Sequence, residues 1–91
     1  MIVENRVLKH VDEKDLWTLI FKPHEFWKDI EIIGKKAFSK LNLQYIYIPD
    51  GIVRIEERAF YACKNLKVAI LPDSVKNVES FAFGMCLSFR C

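Results

Sequence analysis

The stretch VRIEERAFYACKNLKVAILPDSV, residues 53–75, recurs in outline along the chain. Its Ala-Phe pair stands at Ala37-Phe38, Ala59-Phe60 and Ala82-Phe83, and its Pro-Asp pair stands at Pro49-Asp50 and Pro72-Asp73. Successive Ala-Phe pairs are 22 and 23 residues apart. A unit of that length is too small to bury its own apolar face, so the sequence predicts units that stack on one another as a solenoid. Most enzyme architectures are excluded by this pattern.

Each unit is predicted to contain two short strands and one tight helical turn. Leu66–Leu71 is a β-rich run closed by Pro72, which cannot donate to a ladder, so the chain turns there. A second short strand follows from Val75 to Val78. The dense apolar residues of 81–86 then predict a single α or 3₁₀ turn that points Phe83 inward, with Phe38 and Phe60 as its counterparts.

Units of this kind resemble the BspA-like leucine-rich repeats, whose pattern runs I-G-x-x-A-F-x-x-C-x-x-L-x-x-V-x-I-P-x-S-V. The resemblance covers residues 30–91, and Ile33-Gly34 keeps the glycine of the pattern whereas Glu56 and Glu79 replace it. The opening segment, residues 2–12 followed by 16–23, looks like the N-terminal cap of such proteins, where a β-hairpin starts the stack.

The resemblance implies an α+β, β-rich fold: a leucine-rich-repeat-like solenoid of about three stacked repeats with an N-terminal β-hairpin-like cap. We expect one domain over residues 1–91. Residues 1–29 form the cap and a first strand with an insert, and residues 30–91 form the repeats, the last of them incomplete. The insert, residues 24–27, is expected to be a bulge or loop on the convex or edge side.

Composition is consistent with a small domain without a membrane segment. Apolar residues make up 52% of the 91, and no apolar run approaches the ~20 residues that a membrane span requires. Glu4, Asn5 and Arg6 interrupt any secretory signal. The sequence therefore predicts a cytoplasmic protein, or an extracellular one if the chain is a fragment of an adhesin.

The residues that could carry chemistry are few. The chain has three cysteines, and Cys63 and Cys86 are predicted to lie one above the other as buried free thiols, with Cys91 the more reactive one. His10 and His24 have no partner at metal-ligand spacing. We therefore expect no catalytic residue, no metal, no cofactor and no enzyme activity.

The outward face of the predicted strands is the candidate binding site. If strands end at Pro23, Pro49 and Pro72, alternation leaves two outward columns and sends inward Leu43, Ile46, Ile48, Leu66, Ala69 and Leu71. The columns read Leu19, Tyr45, Val68 and Phe21, Tyr47, Ile70, with Lys67 and Gln44 at the rim. Such an apolar and aromatic patch is typical of a protein interface. The alternative is that residues 1–15 fold over these columns and bury them.

These observations predict a protein-binding module, acting as a small intracellular inhibitor or modulator of a host or phage protein. An N-terminal fragment of a longer surface adhesin is the alternative. A nucleic-acid-associated protein comes third, because the net charge is only +2 and basic residues are interspersed with acidic ones. We also expect an open strand edge along Leu66–Leu71 that supports a homodimer, unless residues 87–91 curl back as a cap.

Overall fold

The structure, a computed structural model, describes residues 1–86 and begins with a β-hairpin. β1 (Ile2–Glu4) pairs antiparallel with β2 (Val7–His10). Asn5 and Arg6, which join them, have φ angles of 51° and 66°. Two successive left-handed residues make the type I′ turn that suits the twist of a tight hairpin. The predicted N-terminal hairpin is thus present.

β2 opens a parallel ladder in which equivalent residues of successive repeats lie side by side. β3 (Ile32–Ile33), β5 (Arg54–Ile55) and β7 (Asn77–Val78) follow it, giving the strand order β1-β2-β3-β5-β7 within residues 1–86. Leu8 pairs with Ile33, Ile33 with Ile55, and Ile55 with Val78. The first three are fully buried, whereas Val78 is 49% exposed. Leu8 of the hairpin therefore occupies the place of a preceding repeat.

A second parallel ladder is built from β4 (Tyr45–Tyr47) and β6 (Val68–Ile70). Its central pair is Ile46 and Ala69, which point toward the core as predicted. The prediction that Leu71 points inward is wrong, because this side chain is 39% exposed. β6 ends at Ile70, and within residues 1–86 no further unit packs over Leu71.

Phenylalanine rings form the centre of the core. Phe38 and Phe60 stack with their ring centroids 4.7 Å apart, and Phe60 and Phe83 stack at 5.0 Å. Phe26 adds a fourth ring, 6.0 Å from Phe38. Phe38 and Phe60 are completely buried. The inward direction predicted for the repeated phenylalanines is confirmed.

The Ala-Phe segments are hydrogen-bonded turns, so the predicted α or 3₁₀ turn is wrong. The N–H of Ala59 donates to the carbonyl of Glu56, and Arg58 between them has a φ of 58°. A positive φ at the third residue is the mark of a type II turn, and it interrupts helical geometry. Lys36 and Phe81 occupy the equivalent place, with φ angles of 58° each. These left-handed residues recur with the repeat.

Residues 16–26 also differ from the prediction. The expected strand ending at Pro23 is instead α1 (Leu16–Phe21), and the expected loop or bulge at residues 24–27 is largely α2 (Pro23–Phe26). Pro23 stands at the first turn of α2, where a missing N–H costs nothing. Phe26 enters the core with only 1% of its surface exposed. With short helices and short strands, the fold belongs to the α+β class.

Polar side chains and backbone groups also join successive units. Asn65 Nδ2 donates to Asn42 Oδ1 at 2.8 Å, and the hydroxyl of Ser74 donates to the carbonyl of Ile52 at 2.8 Å. The N–H of Phe38 donates to the carbonyl of Ala59 at 2.7 Å. These bonds satisfy groups that a lone unit would leave unpaired.

The middle ring of the stack sets the first prediction. Phe60→Ala removes a fully buried ring that stacks on two others, so we expect the free energy of unfolding to fall by about 3 to 5 kcal/mol. Chemical denaturation measures this value. Phe21→Ala is the matched control, because Phe21 is 64% exposed and its loss should cost about 1 kcal/mol or less. Equal losses in the two variants would contradict the stack.

Gly34 gives a second prediction. A Cβ there would lie 2.6 Å from the backbone oxygen of Leu8, to which the Gly34 N–H already donates at 2.8 Å. Gly34→Ala should therefore push the hairpin from the repeats and lower the free energy of unfolding by about 1 to 3 kcal/mol. Glu56→Ala is the control, because Glu56 occupies the equivalent position of the next repeat and already has a Cβ. A melting temperature for Gly34→Ala equal to that of the control would count against the docking of β2.

Candidate functional site

Two adjacent strands present the candidate site, which we call the tyrosine face: Tyr45, Tyr47, Val68 and Ile70. Tyr45 is 74% exposed and Tyr47 is 67% exposed. Val68 and Ile70 are also exposed. The intervening Ile46 is buried, as the alternation of side chains along a strand requires. The sequence thus predicted correctly which side chains of β4 and β6 face outward.

The register of the ladder makes the tyrosine face continuous. Tyr45 pairs with Val68 and Tyr47 pairs with Ile70. Neighbouring strands lie about 4.8 Å apart, so each tyrosine stands beside an aliphatic side chain. Gln44 and Lys67, which precede the two strands, are both exposed at the rim. The result is an apolar and aromatic patch with a polar border.

Leu19 and Phe21, the remaining predicted site residues, do not continue the two columns. Both lie on α1, so the predicted strand pairing with Tyr45 and Tyr47 is wrong. Leu19 is half-buried and, together with the two tyrosines, lines a groove between α1 and β4. Phe21 is exposed away from that groove, where its ring lies 5.2 Å from the ring of Trp17. The structure therefore brings Leu19 to the site and leaves Phe21 outside it.

The N-terminal segment does not cover the tyrosine face. β1 and β2 belong to the other ladder, and both tyrosines stay exposed. The segment reaches the region only at its border, where the Asn42 N–H donates to Glu13 Oε2 at 3.0 Å. The alternative in which residues 1–15 bury the columns is contradicted by this arrangement.

Beside the tyrosine face lies a groove that was not predicted from the sequence, which we call the cap groove. It is about 900 Å³ in volume and runs between α1–α2 and β4. Its helical wall includes Leu16, Leu19, Ile20, Pro23 and Trp27. Their spacing of i, i+3, i+4, i+7 and i+11 is that of one helix face, and this signal was available in the sequence.

The two described cysteines are structural rather than nucleophilic. Both are free thiols, as predicted, but only Cys63 is buried and Cys86 is half-buried. The Cys63 thiol donates to the carbonyl of Phe38 at 3.0 Å, and the Cys86 thiol donates to the carbonyl of Phe60 at 3.0 Å. Burial raises the pKa of Cys63 to about 11, and burial also raises the pKa of Cys86. A raised pKa lowers the thiolate fraction and hence the reactivity. Cys91, predicted to be the more reactive thiol, lies outside the described residues.

The histidines and acidic side chains of residues 1–86 do not assemble a metal site. His10 Nε2 is hydrogen-bonded to Asp12 Oδ1 at 2.8 Å on the surface. The described part of the chain brings no three His, Cys, Asp or Glu side chains together at metal-binding distances. None of its helices is long and apolar enough to cross a membrane.

Parallel ladders in which residues 22 or 23 apart lie side by side define the class of protein as a repeat protein. The sequence pattern of the BspA type Leucine rich repeat region (6 copies) matches residues 21–91. Since the match spans more than half of the chain, the protein belongs to the BspA-type leucine-rich repeat family. No curated protein and no solved structure matches this chain. Repeats of this type are commonly protein-interaction modules and are generally non-enzymatic.

The buried thiol generates a pH prediction. Because the folded protein raises the pKa of Cys63 from 9.0 to about 11, folding disfavours its ionisation. The stability that depends on the neutral thiol is fully present below pH 9 and is lost as the pH rises toward 11. We expect Cys63→Ala to lose less stability than wild type between these pH values in urea denaturation. If the free energy of unfolding fell equally in the two proteins between pH 9 and pH 11, the raised pKa of Cys63 would be contradicted.

Proposed function

We propose that this chain is a protein-binding module that engages its partner through the tyrosine face. The observation that carries the proposal is the exposure of Tyr45 and Tyr47 on a strand whose next side chain, Ile46, is buried. Large apolar side chains held outward by a rigid ladder have little conformational freedom left to lose on binding. This property suits them to be anchors of an interface.

The composition of the tyrosine face supports the same proposal. Tyrosine is enriched among the residues that contribute most to binding, and contiguous exposed apolar patches mark interaction surfaces. Lys67 and Gln44 at the border resemble the polar rim that surrounds such a centre. Within residues 1–86, no side chain covers Tyr45 or Tyr47.

In this proposal the repeats form a short solenoid whose role is to hold the face rigid. The module carries out no reaction, and it acts as an inhibitor or modulator by occupying a surface of its partner. A flat apolar patch selects a partner by shape and by the position of hydrogen bonds to the two tyrosine hydroxyls. The partner would therefore present a complementary apolar surface with polar groups at its border.

The double variant Tyr45→Ser/Tyr47→Ser tests the proposal. Loss of both anchors should abolish binding of the native partner, since anchor side chains each contribute about 2 kcal/mol or more. The fold should persist, because both side chains are exposed in the folded protein. Affinity capture followed by titration calorimetry measures binding, and circular dichroism measures folding.

Val53→Ser is the matched control for that experiment. Val53 is 40% exposed and immediately precedes β5 of the other ladder, so its loss removes apolar surface away from the tyrosine face. The control should bind as wild type does. Full binding by the double tyrosine variant would refute the proposed face.

A further inference from the structure

The cap groove exposes backbone as well as side chains. Ile48 N–H donates to the carbonyl of Ile70 at 2.9 Å, and the carbonyl of Gln44 accepts from the N–H of Lys67 at 2.7 Å. Even-numbered residues of β4 thus direct their peptide groups toward β6. Alternate residues of a strand direct theirs to opposite edges, so Tyr45 and Tyr47 point their N–H and C=O groups into the groove. Within residues 1–86 these groups have no hydrogen-bond partner.

This free edge exists because the two ladders begin differently. In the first ladder, β2 of the hairpin supplies a strand beside β3. In the second ladder, the chain that precedes the repeats forms α1 instead, and β4 is left as an edge strand. The cap groove lies in the position where one more strand of the second ladder would run. An edge strand with unpaired groups is a template for strand addition.

The walls of the groove define which strand would fit. Leu16, Leu19 and Ile20 form an apolar wall opposite β4, and Trp27 adds an aromatic ring. Side chains of an added strand would point alternately to the core side of the sheet, where Ile46 points, and to the side of the tyrosine face. The occupant must therefore be an extended peptide with apolar residues at every second position.

The charges of the groove favour an acidic occupant. Its titratable side chains include His24 and Lys28 on the helical wall and Asp50 in the turn after β4. Asp50 lies on the β4 side of the groove, whereas Lys28 and His24 lie together on the helical wall. A carboxylate on the solvent-facing side of an added strand would be attracted to them, whereas a basic residue would be repelled.

We propose that the cap groove binds an extended segment of a partner protein, apolar at alternate positions and carrying an acidic residue, which pairs with Tyr45 and Tyr47 as an added strand of the second ladder. The inference rests on the proposed protein-binding role and assigns it a second contact. The tyrosine face binds through side chains, whereas the groove binds through the backbone of β4. The two contacts therefore respond to different substitutions.

The experiment selects peptides from a phage-displayed library of random heptapeptides on the intact chain. The best sequence is then synthesised for measurement. We expect apolar residues at alternate positions together with Asp or Glu. On binding, amide exchange of Tyr45 and Tyr47 should slow by roughly tenfold or more. The same peptide N-methylated on the groups that face β4 should lose binding, because those groups can no longer donate. Selection of no sequence, or unchanged exchange at both amides, would overturn the inference.

Neighbouring residues of α1 supply matched variants. Ile20→Glu places a charge on the groove wall, and Phe21→Glu places one on the same helix but outside the groove lining. Both side chains are exposed, so neither change should unfold the protein. Ile20→Glu should raise the Kd of the selected peptide by roughly tenfold or more, while Phe21→Glu should leave it unchanged. Lys28→Glu should also raise the Kd of a selected peptide that carries an acidic residue.

The double variant Tyr45→Ser/Tyr47→Ser separates the two proposals, because it keeps the backbone of β4 and removes the rings. Because Tyr45 and Tyr47 also line the groove, the Kd of the selected peptide should rise, but binding through the backbone of β4 should remain measurable, whereas binding of the native partner should be lost. A peptide whose binding is lost in this variant and unaffected by Ile20→Glu occupies the tyrosine face instead. That result would overturn the groove inference and leave the proposed function in place. Full binding of the native partner by the double tyrosine variant would count against the tyrosine face and leave the groove inference in place.

Discussion

The fold depends on the stacking of Phe38, Phe60 and Phe83, since no single repeat has a core of its own. The rings lie 4.7 Å and 5.0 Å apart, close to the spacing of the neighbouring strands. Beside the rings, the N–H of Phe60 donates to the carbonyl of Ala82 at 2.7 Å. Apolar contact and backbone pairing thus act at the same level of each repeat, and neither can form without the adjacent unit.

This dependence on neighbours explains why the N-terminal end is built as it is. The first repeat needs cover, and the chain supplies it with two different elements: Leu8 of β2 covers Ile33, and Phe26 of α2 covers Phe38. Both covering side chains are almost fully buried. Within residues 1–86 the edge of β4 is not covered in this way, so the cap groove arises where the two covering elements leave a gap.

The same strand serves the core and the surface. Ile46 packs inward while Tyr45 and Tyr47 face outward, and the backbone of β4 is anchored to β6 on one side only. Anchoring through the buried side chain holds the tyrosines in place without covering them. A binding surface of this kind gains its rigidity from the repeats. Substitutions of Phe60 should therefore change stability, whereas substitutions in the tyrosine face should change binding.

The sequence by itself determined the repeated elements. The spacing of 22 and 23 residues fixed which side chains share a level, and period-two alternation fixed Tyr45 and Tyr47 as outward, because each repeat constrains the others. Residues 16–26 have no repeated counterpart. Their apolar residues have the spacing of a helix face, but the run before Pro23 also fits a strand, so the docking of Phe26 on Phe38 decided the matter. Tertiary contacts also imposed the left-handed Lys36 and Arg58, where no glycine signals a turn, and they alone created the groove beside β4.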